Sequence, residues 1–154
     1  MTKPFIVEER DVEAVQLPGG GAFWLLEDAE NSHGLFGANR LLLPAGADGT
    51  RPHHHTRSTE IFYILSGTME FLVEGALHQA RQGTLISIPP NTTHAFGASS
   101  AGPAEFLALL TPGIPRFDYF RQLGRIARGE ADWSTMDDLH DRFDVHFDGP
   151  PDWR

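Results

Sequence analysis

The chain has 154 residues, 40% hydrophobic and 21% charged, with 16 Gly and 11 Pro, a globular composition at the length of one ordinary domain that argues against a disordered chain. It has no Cys, so disulfides, thiolate metal sites and cysteine nucleophiles are excluded, and any metal must be held by His and carboxylate. The net charge of -9 argues against a nucleic-acid partner, because that affinity comes mostly from Lys and Arg neutralising phosphates.

From the start to about residue 110 the sequence reads as short apolar runs at 5–7, 23–26, 34–43, 61–65, 69–73, 84–88 and 106–110. Each has strand length and is too short for a helix. Turn signals such as Pro18-Gly-Gly-Gly, Pro44-Ala-Gly46, Glu74-Gly75 and Pro89-Pro-Asn91 separate them, at spacings expected of an antiparallel sandwich or barrel. After Thr111-Pro-Gly-Ile-Pro115 the period changes, with Phe120, Leu123 and Ala127 at i, i+3, i+7 and Gly129 as a stop, which predicts one short amphipathic helix. Ser134 is placed to cap a second, with Met136, Leu139 and Phe143 on its apolar face, before a final extended piece at 145–147. Both helices are expected on the outside or rim of the barrel. Between Glu130 and Arg154 eight acidic residues face only Arg142 and Arg154, which reads as a solvated face. The expectation is one all-β domain over 1–154 with short C-terminal helices. No run of about 18 apolar residues occurs, and the start lacks the apolar stretch of a secretory signal, so a cytoplasmic protein without membrane contact is expected.

The chemistry concentrates in Pro52-His53-His54-His55 and Thr92-Thr93-His94. In a strand, residues i and i+2 share a face, so His53 and His55 direct both imidazoles to one point while His54 points away. An H-x-H alone is weak, since about 0.4 are expected by chance with this many His. Adding Glu60 after the polar turn Thr56-Arg-Ser-Thr59, and Gly67 seven residues further on, lowers the chance expectation to about 0.003. Three imidazoles and a carboxylate suit a first-row divalent ion such as Fe, Mn, Ni, Cu or Zn.

The pattern His53-x-His55-x4-Glu60-x6-Gly67 resembles the first motif of cupins, and Gly83-x5-Pro89-x4-His94 resembles the second. The 15 residues at 68–82 between them match the short spacer of small bacterial members. The chain departs from the family pattern at Asn91, where Gly is preferred, and at Ala98, where Asn is common; the first Gly, at 46 or 49, is also off its usual offset. Asn tolerates the positive φ of a turn, whereas Ala98 removes a polar group near the site. Over 34–112, including Phe62-Tyr63-Ile64-Leu65-Ser66-Gly67 and Thr111-Pro-Gly113 entering a helix, the chain is similar to single-domain quercetin-dioxygenase-like cupins. That resemblance implies a double-stranded β-helix, or jelly-roll barrel, with His53, His55, Glu60 and His94 as metal ligands, and a homodimer. It further implies a metal-dependent dioxygenase acting on a small phenolic or enolisable carbonyl substrate, with Fe(II) first and Mn, Ni, Cu or Zn as alternatives, and with Glu60 both ligand and proton acceptor. A non-redox cyclase, isomerase or lyase and a non-catalytic small-ligand-binding cupin are the alternative readings.

Parity places Phe62, Ile64 and Phe96 on the inward side with Glu60 or His94, as substrate-pocket or core residues, and Tyr63 on the outside. His33, His54, His78, His140 and His146 read as surface or satisfied histidines. Phe117, Tyr119 and Phe120 either close the barrel mouth or attach the helix. Arg57 is either an attractor for an anionic substrate or an exposed residue without a role.

Overall fold

The apolar runs pair into two antiparallel sheets in the computed structural model, which describes residues 3–150 and 152–154. The strands are β1 (Ala14–Gln16), β2 (Ala22–Glu27), β3 (Gly37–Leu43), β4 (Asp48–His54), β5 (Thr59–Ser66), β6 (Thr68–Val73), β7 (Ala76–Arg81), β8 (Leu85–Ile88), β9 (His94–Ala98), β10 (Ala104–Thr111) and β11 (His146–Phe147). Two helices, α1 (Phe117–Ala127) and α2 (His140–Phe143), follow the barrel strands, with a 3-10 segment Trp133–Leu139 leading into α2. One sheet runs β1-β2-β3-β10-β5-β8 and the other β11-β4-β9-β6-β7. This is the expected mostly-β jelly roll with short C-terminal helices.

Strict alternation builds the core. On β3 the inward row is Gly37, Asn39, Leu41 and Leu43, paired with Leu110, Ala108, Phe106 and Ala104 of β10. Phe62, Phe71, Phe96 and Phe106 meet at the centre with ring centroids 5.1–5.9 Å apart, mostly edge to face. Burying each ring contributes roughly 1.5–3 kcal/mol, and their tilted contacts add to it. Tight turns set the register: Glu74 and Gly75, both at positive φ, join β6 to β7 as the twist of a two-residue hairpin requires. Asn91 adopts φ 62°, the left-handed conformation anticipated for it.

Several expectations on local structure are corrected. Residues 5–7 form no strand; Ile6 is 92% exposed and Phe5 stacks on Phe36 instead. A three-residue apolar run has β propensity but no partner strand, and pairing decides. The run at 34–43 becomes strand only from Gly37, since Gly34 lies in a turn at φ 80°. Ser134 lies inside the 3-10 segment, whose preceding residue is Asp132, and only four residues of α2 are α-helical. In α1 the buried residues are Tyr119, Phe120 and Gly124, while Ala127 is exposed. Gly124 turns that face inward: an added Cβ there would stand 2.4 Å from Val15 Cγ1, so only glycine lets α1 approach β1 this closely. The acidic C-terminal segment is not wholly a solvated face, because Asp144 is buried. No helix among the described residues is long and apolar enough to cross a membrane.

Candidate metal centre

The strand pairing gathers the four expected ligands. His53 on β4 sits directly opposite His94 on β9, alternation returns His55 to the same side, and β5 enters with Glu60 pointing inward. All four are buried, and one donor atom from each lies within 4.8 Å of the others. Donors sharing one ion at bonds of about 2.0–2.2 Å are at most ~4.4 Å apart, so a small contraction suffices to ligate.

Each imidazole is held by its outer nitrogen. His53 Nδ1 lies 3.0 Å from the Arg51 carbonyl, His94 Nδ1 2.9 Å from that of Thr92, and His55 Nδ1 2.6 Å from that of Asp144. A carbonyl only accepts, so each Nδ1 carries the hydrogen and donates it, leaving a lone pair on Nε2 of the neutral ring. His55 Nε2 and His94 Nε2 lie 3.0 and 3.1 Å from the same oxygen, Glu60 Oε2. Lone pairs at this range repel one another unless a cation stands between them. A proton on one ring relieves one contact, whereas a divalent ion satisfies the whole donor set, so the residues fit a first-row metal.

The site favours a neutral His53 and positive charge beside Glu60. Burial, then the neighbouring His94 and His55, hold the His53 imidazole well below its usual range, as a neutral ligand. Burial pushes the Glu60 carboxyl up, but positive charge on the imidazole side, here a proton on His55 or His94 hydrogen-bonded to Oε2, together with the Arg116 guanidinium outweighs it and holds the group well below the usual carboxylate range.

Four residues that the sequence did not single out build the surroundings. Asp144, in the left-handed conformation at φ 53°, receives hydrogen bonds from the Thr56 amide (2.9 Å), the Thr56 hydroxyl (2.6 Å) and the Arg57 amide (2.9 Å) while its carbonyl orients His55. Burial pushes its carboxyl up, but the Thr56 hydroxyl and then the two amides outweigh it and keep the group below the usual range. Arg116 is 8% exposed, with Nη1 3.8 Å from Glu60 Oε1 and the guanidinium 5.3 Å from the ring centroids of both Tyr119 and Phe120. Asp28 positions it by accepting from the Arg116 and Phe117 amides, the latter at 2.8 Å, which caps α1 from a distant loop. Asn39 is the polar member of the inward β3 row. Parity along β3 carried a signal for Asn39; Arg116, Asp28 and Asp144 left none.

Glu60, His53, Asn39, Thr50, Phe96 and Arg116 are among the residues lining a cavity of about 30 Å³, room for about one or two waters. Tyr119 and Phe120 close one side of it, and burial raises the Tyr119 hydroxyl to about 12, so it stays a neutral phenol. Of the expected pocket residues, Phe96 lines this cavity, while Phe62 and Ile64 lie wholly buried in the core and are not among its lining residues. Tyr63 points outward and is 44% exposed. His54 faces away from the centre, with Nδ1 2.8 Å from the Asp148 carboxylate. Arg57 turns its guanidinium to the Asp141 carbonyl at 3.0 Å, toward the C-terminal segment.

Comparison with known proteins agrees with this architecture. Among solved structures, a cupin protein from Bacteroides fragilis is 28% identical over 50% of this chain with a TM-score of 0.49, and the chain spans only 65% of that protein's length. KdgF from Halomonas sp. is 20% identical, with 76% of this chain and 99% of that one covered and a TM-score of 0.63. The polyketide cyclase RemF from Streptomyces resistomycificus is 24% identical, covering 71% and 80%, with a TM-score of 0.57. No curated protein matches the chain. The family model described as the cupin domain matches residues 39–110, the stretch that supplies Glu60, all three imidazoles and most of the barrel. Residues 39–110 therefore match the cupin domain, and the chain carries the jelly-roll fold of these structures.

Proposed function

We propose that the chain is a metal-dependent enzyme acting on a small enolisable carbonyl or phenolic compound. The observation that supports this reading is the set of three imidazoles, each donating Nδ1–H to a carbonyl, converging with one carboxylate, with His53 and Glu60 of that set lining a small cavity. His53, His55, Glu60 and His94 would hold a divalent ion, which would supply Lewis acidity toward a substrate oxygen and so ease loss of a proton from the neighbouring C–H or O–H. Glu60 divides its carboxylate: Oε2 faces the imidazoles, while Oε1 lies on the Arg116 side of the cavity, placed to accept that proton. The aromatic wall excludes bulk water, which strengthens each of these electrostatic contacts.

Proton return at a second carbon, or loss of a group, makes this isomerase, cyclase or lyase chemistry; reaction of the deprotonated substrate with O₂ makes it dioxygenase chemistry, with Fe(II) as the expected ion. Elemental analysis of untagged protein is expected to find close to one divalent ion per chain, lost in His53→Ala and His94→Ala. Turnover of β-diketones and phenols, compared in air and under nitrogen, separates the two branches, and Glu60→Gln is expected to abolish either. No ion even after reconstitution would overturn the reading. The expected homodimer is part of the same proposal. Ile61, Tyr63, Leu107 and Leu109, paired across β5 and β10 on the outer face of the six-stranded sheet, are exposed or only half-buried, an apolar surface suited to a second copy.

A further inference from the structure

Arg116 is unusually poor in partners for a buried cation. Its guanidinium offers five donors, yet among the described residues it makes no side-chain hydrogen bond, its Nε is buried without a partner, and Glu60 Oε1 at 3.8 Å is beyond hydrogen-bond range. A buried charge left this way costs several kcal/mol unless something supplies acceptors. The group is nonetheless held in place, by Asp28 at its backbone and by the Tyr119 and Phe120 rings beside its plane. It faces the cavity that also borders Glu60 and Asn39.

Resting on the metal-dependent reading above, we infer that Arg116 anchors a carboxylate of the substrate, so that the site selects oxo acids over neutral carbonyl compounds. A planar guanidinium matches a carboxylate with two parallel hydrogen bonds. When Glu60 Oε2 is committed to an ion, its charge is shared, and Arg116 is left with donors for a second carboxylate. The cavity of about 30 Å³ admits little more than such a headgroup. The rest of the molecule has one apolar direction to take: Phe23, Gly49 and Leu123 line both this cavity and a groove of about 300 Å³ under α1 that includes Leu43, Ile126 and Trp133. At that junction the Phe96 ring packs against Gly49, where any side chain would collide with it. The substrate class is an oxo acid with an apolar tail.

The test is calorimetric titration of zinc-loaded protein with phenylpyruvate and with its methyl ester, alongside elemental analysis of each sample. The acid is expected to bind at least ~10-fold more tightly than the ester, the scale of a charge-assisted hydrogen bond. Arg116→Gln removes that preference with zinc content unchanged, and Arg116→Lys, which keeps the charge but not the fork, recovers only part of it. Equal affinity for acid and ester in the wild type overturns the inference. So does an Arg116→Gln variant that loses zinc yet keeps the acid preference in its loaded fraction, since Arg116 then serves only to hold Glu60. If the wild type binds no zinc, the metal reading fails, and the same acid–ester comparison on the zinc-free chain decides the role of Arg116 independently. Should Arg116→Gln fail to fold by circular dichroism, the ester comparison and Arg116→Lys carry the decision.

Discussion

Replacing Asp144 with Ala tests whether the C-terminal segment holds the ligand turn. The side chain is 1% exposed and accepts three hydrogen bonds, from the Thr56 amide, the Thr56 hydroxyl and the Arg57 amide. Hydrogen bonds to a charged group contribute about 1.5–3 kcal/mol each when wholly buried, but Thr56 and Arg57 are exposed, so water recovers much of that loss. Ala at φ 53° adds roughly 1 kcal/mol of backbone strain. The expected destabilisation is therefore about 3 kcal/mol, or a melting temperature lower by about 6–12 °C for a domain of this size. Because the Asp144 carbonyl also orients His55, zinc affinity is expected to fall ~10- to 100-fold. Thermal melts with and without zinc, with competition titration against a chelator, measure both. The pH dependence has a fixed sign: the folded-state carboxyl is depressed, so its stabilisation is present above the usual Asp value near 4 and is lost as pH falls through the lower folded value. The gap between wild type and variant therefore closes only below about pH 4. A variant melting within ~1 kcal/mol of wild type, with unchanged zinc affinity, would refute the reasoning.

Other predictions follow from single contacts. Gly124→Ala places a Cβ 2.4 Å from Val15 Cγ1 and is expected to cost about 1–3 kcal/mol, read by denaturant unfolding. Gly49→Ala meets the Phe96 ring at 2.2 Å and should both destabilise by a similar ~1–3 kcal/mol and weaken binding of apolar-tailed acids; unchanged binding would remove the junction from the substrate path. Phe62→Ala, at the centre of the aromatic cluster, is expected to lose about 3–5 kcal/mol, measured by thermal melt. Leu109→Asp on the outer face of the six-stranded sheet is expected to convert a dimer to a monomer in sedimentation analysis, without altering zinc content.

The metal ligands were legible because they follow strand geometry. The i, i+2 spacing of His53 and His55 and the short turn to Glu60 are local facts, and His94 opposite His53 completes the set. Asn39 was legible in principle, as the polar member of an apolar inward row, but parity says only that it faces the interior. Arg116 and Asp144 reach the site from segments 56 and 84 residues beyond Glu60 in sequence, and no periodicity records such long-range contacts. Their neighbours did not point to them: Phe117, Tyr119 and Phe120 read as closing the barrel mouth or attaching the helix, and the acidic run around Asp144 read as solvated. Strand β7 was missed for a different reason: it is an edge strand with five of six residues exposed, so it shows no alternation to detect.

The three imidazole clamps also differ in when they become available to a growing chain. His53 and His94 each donate to the carbonyl two residues earlier in their own segment, contacts complete once β4 and β9 have formed and paired. His55 depends on a carbonyl 89 residues later. During synthesis His55 is therefore the last of the three imidazoles to be oriented, once residue 144 has been made and docked. Tight retention of an ion would thus report that the last packing step has occurred.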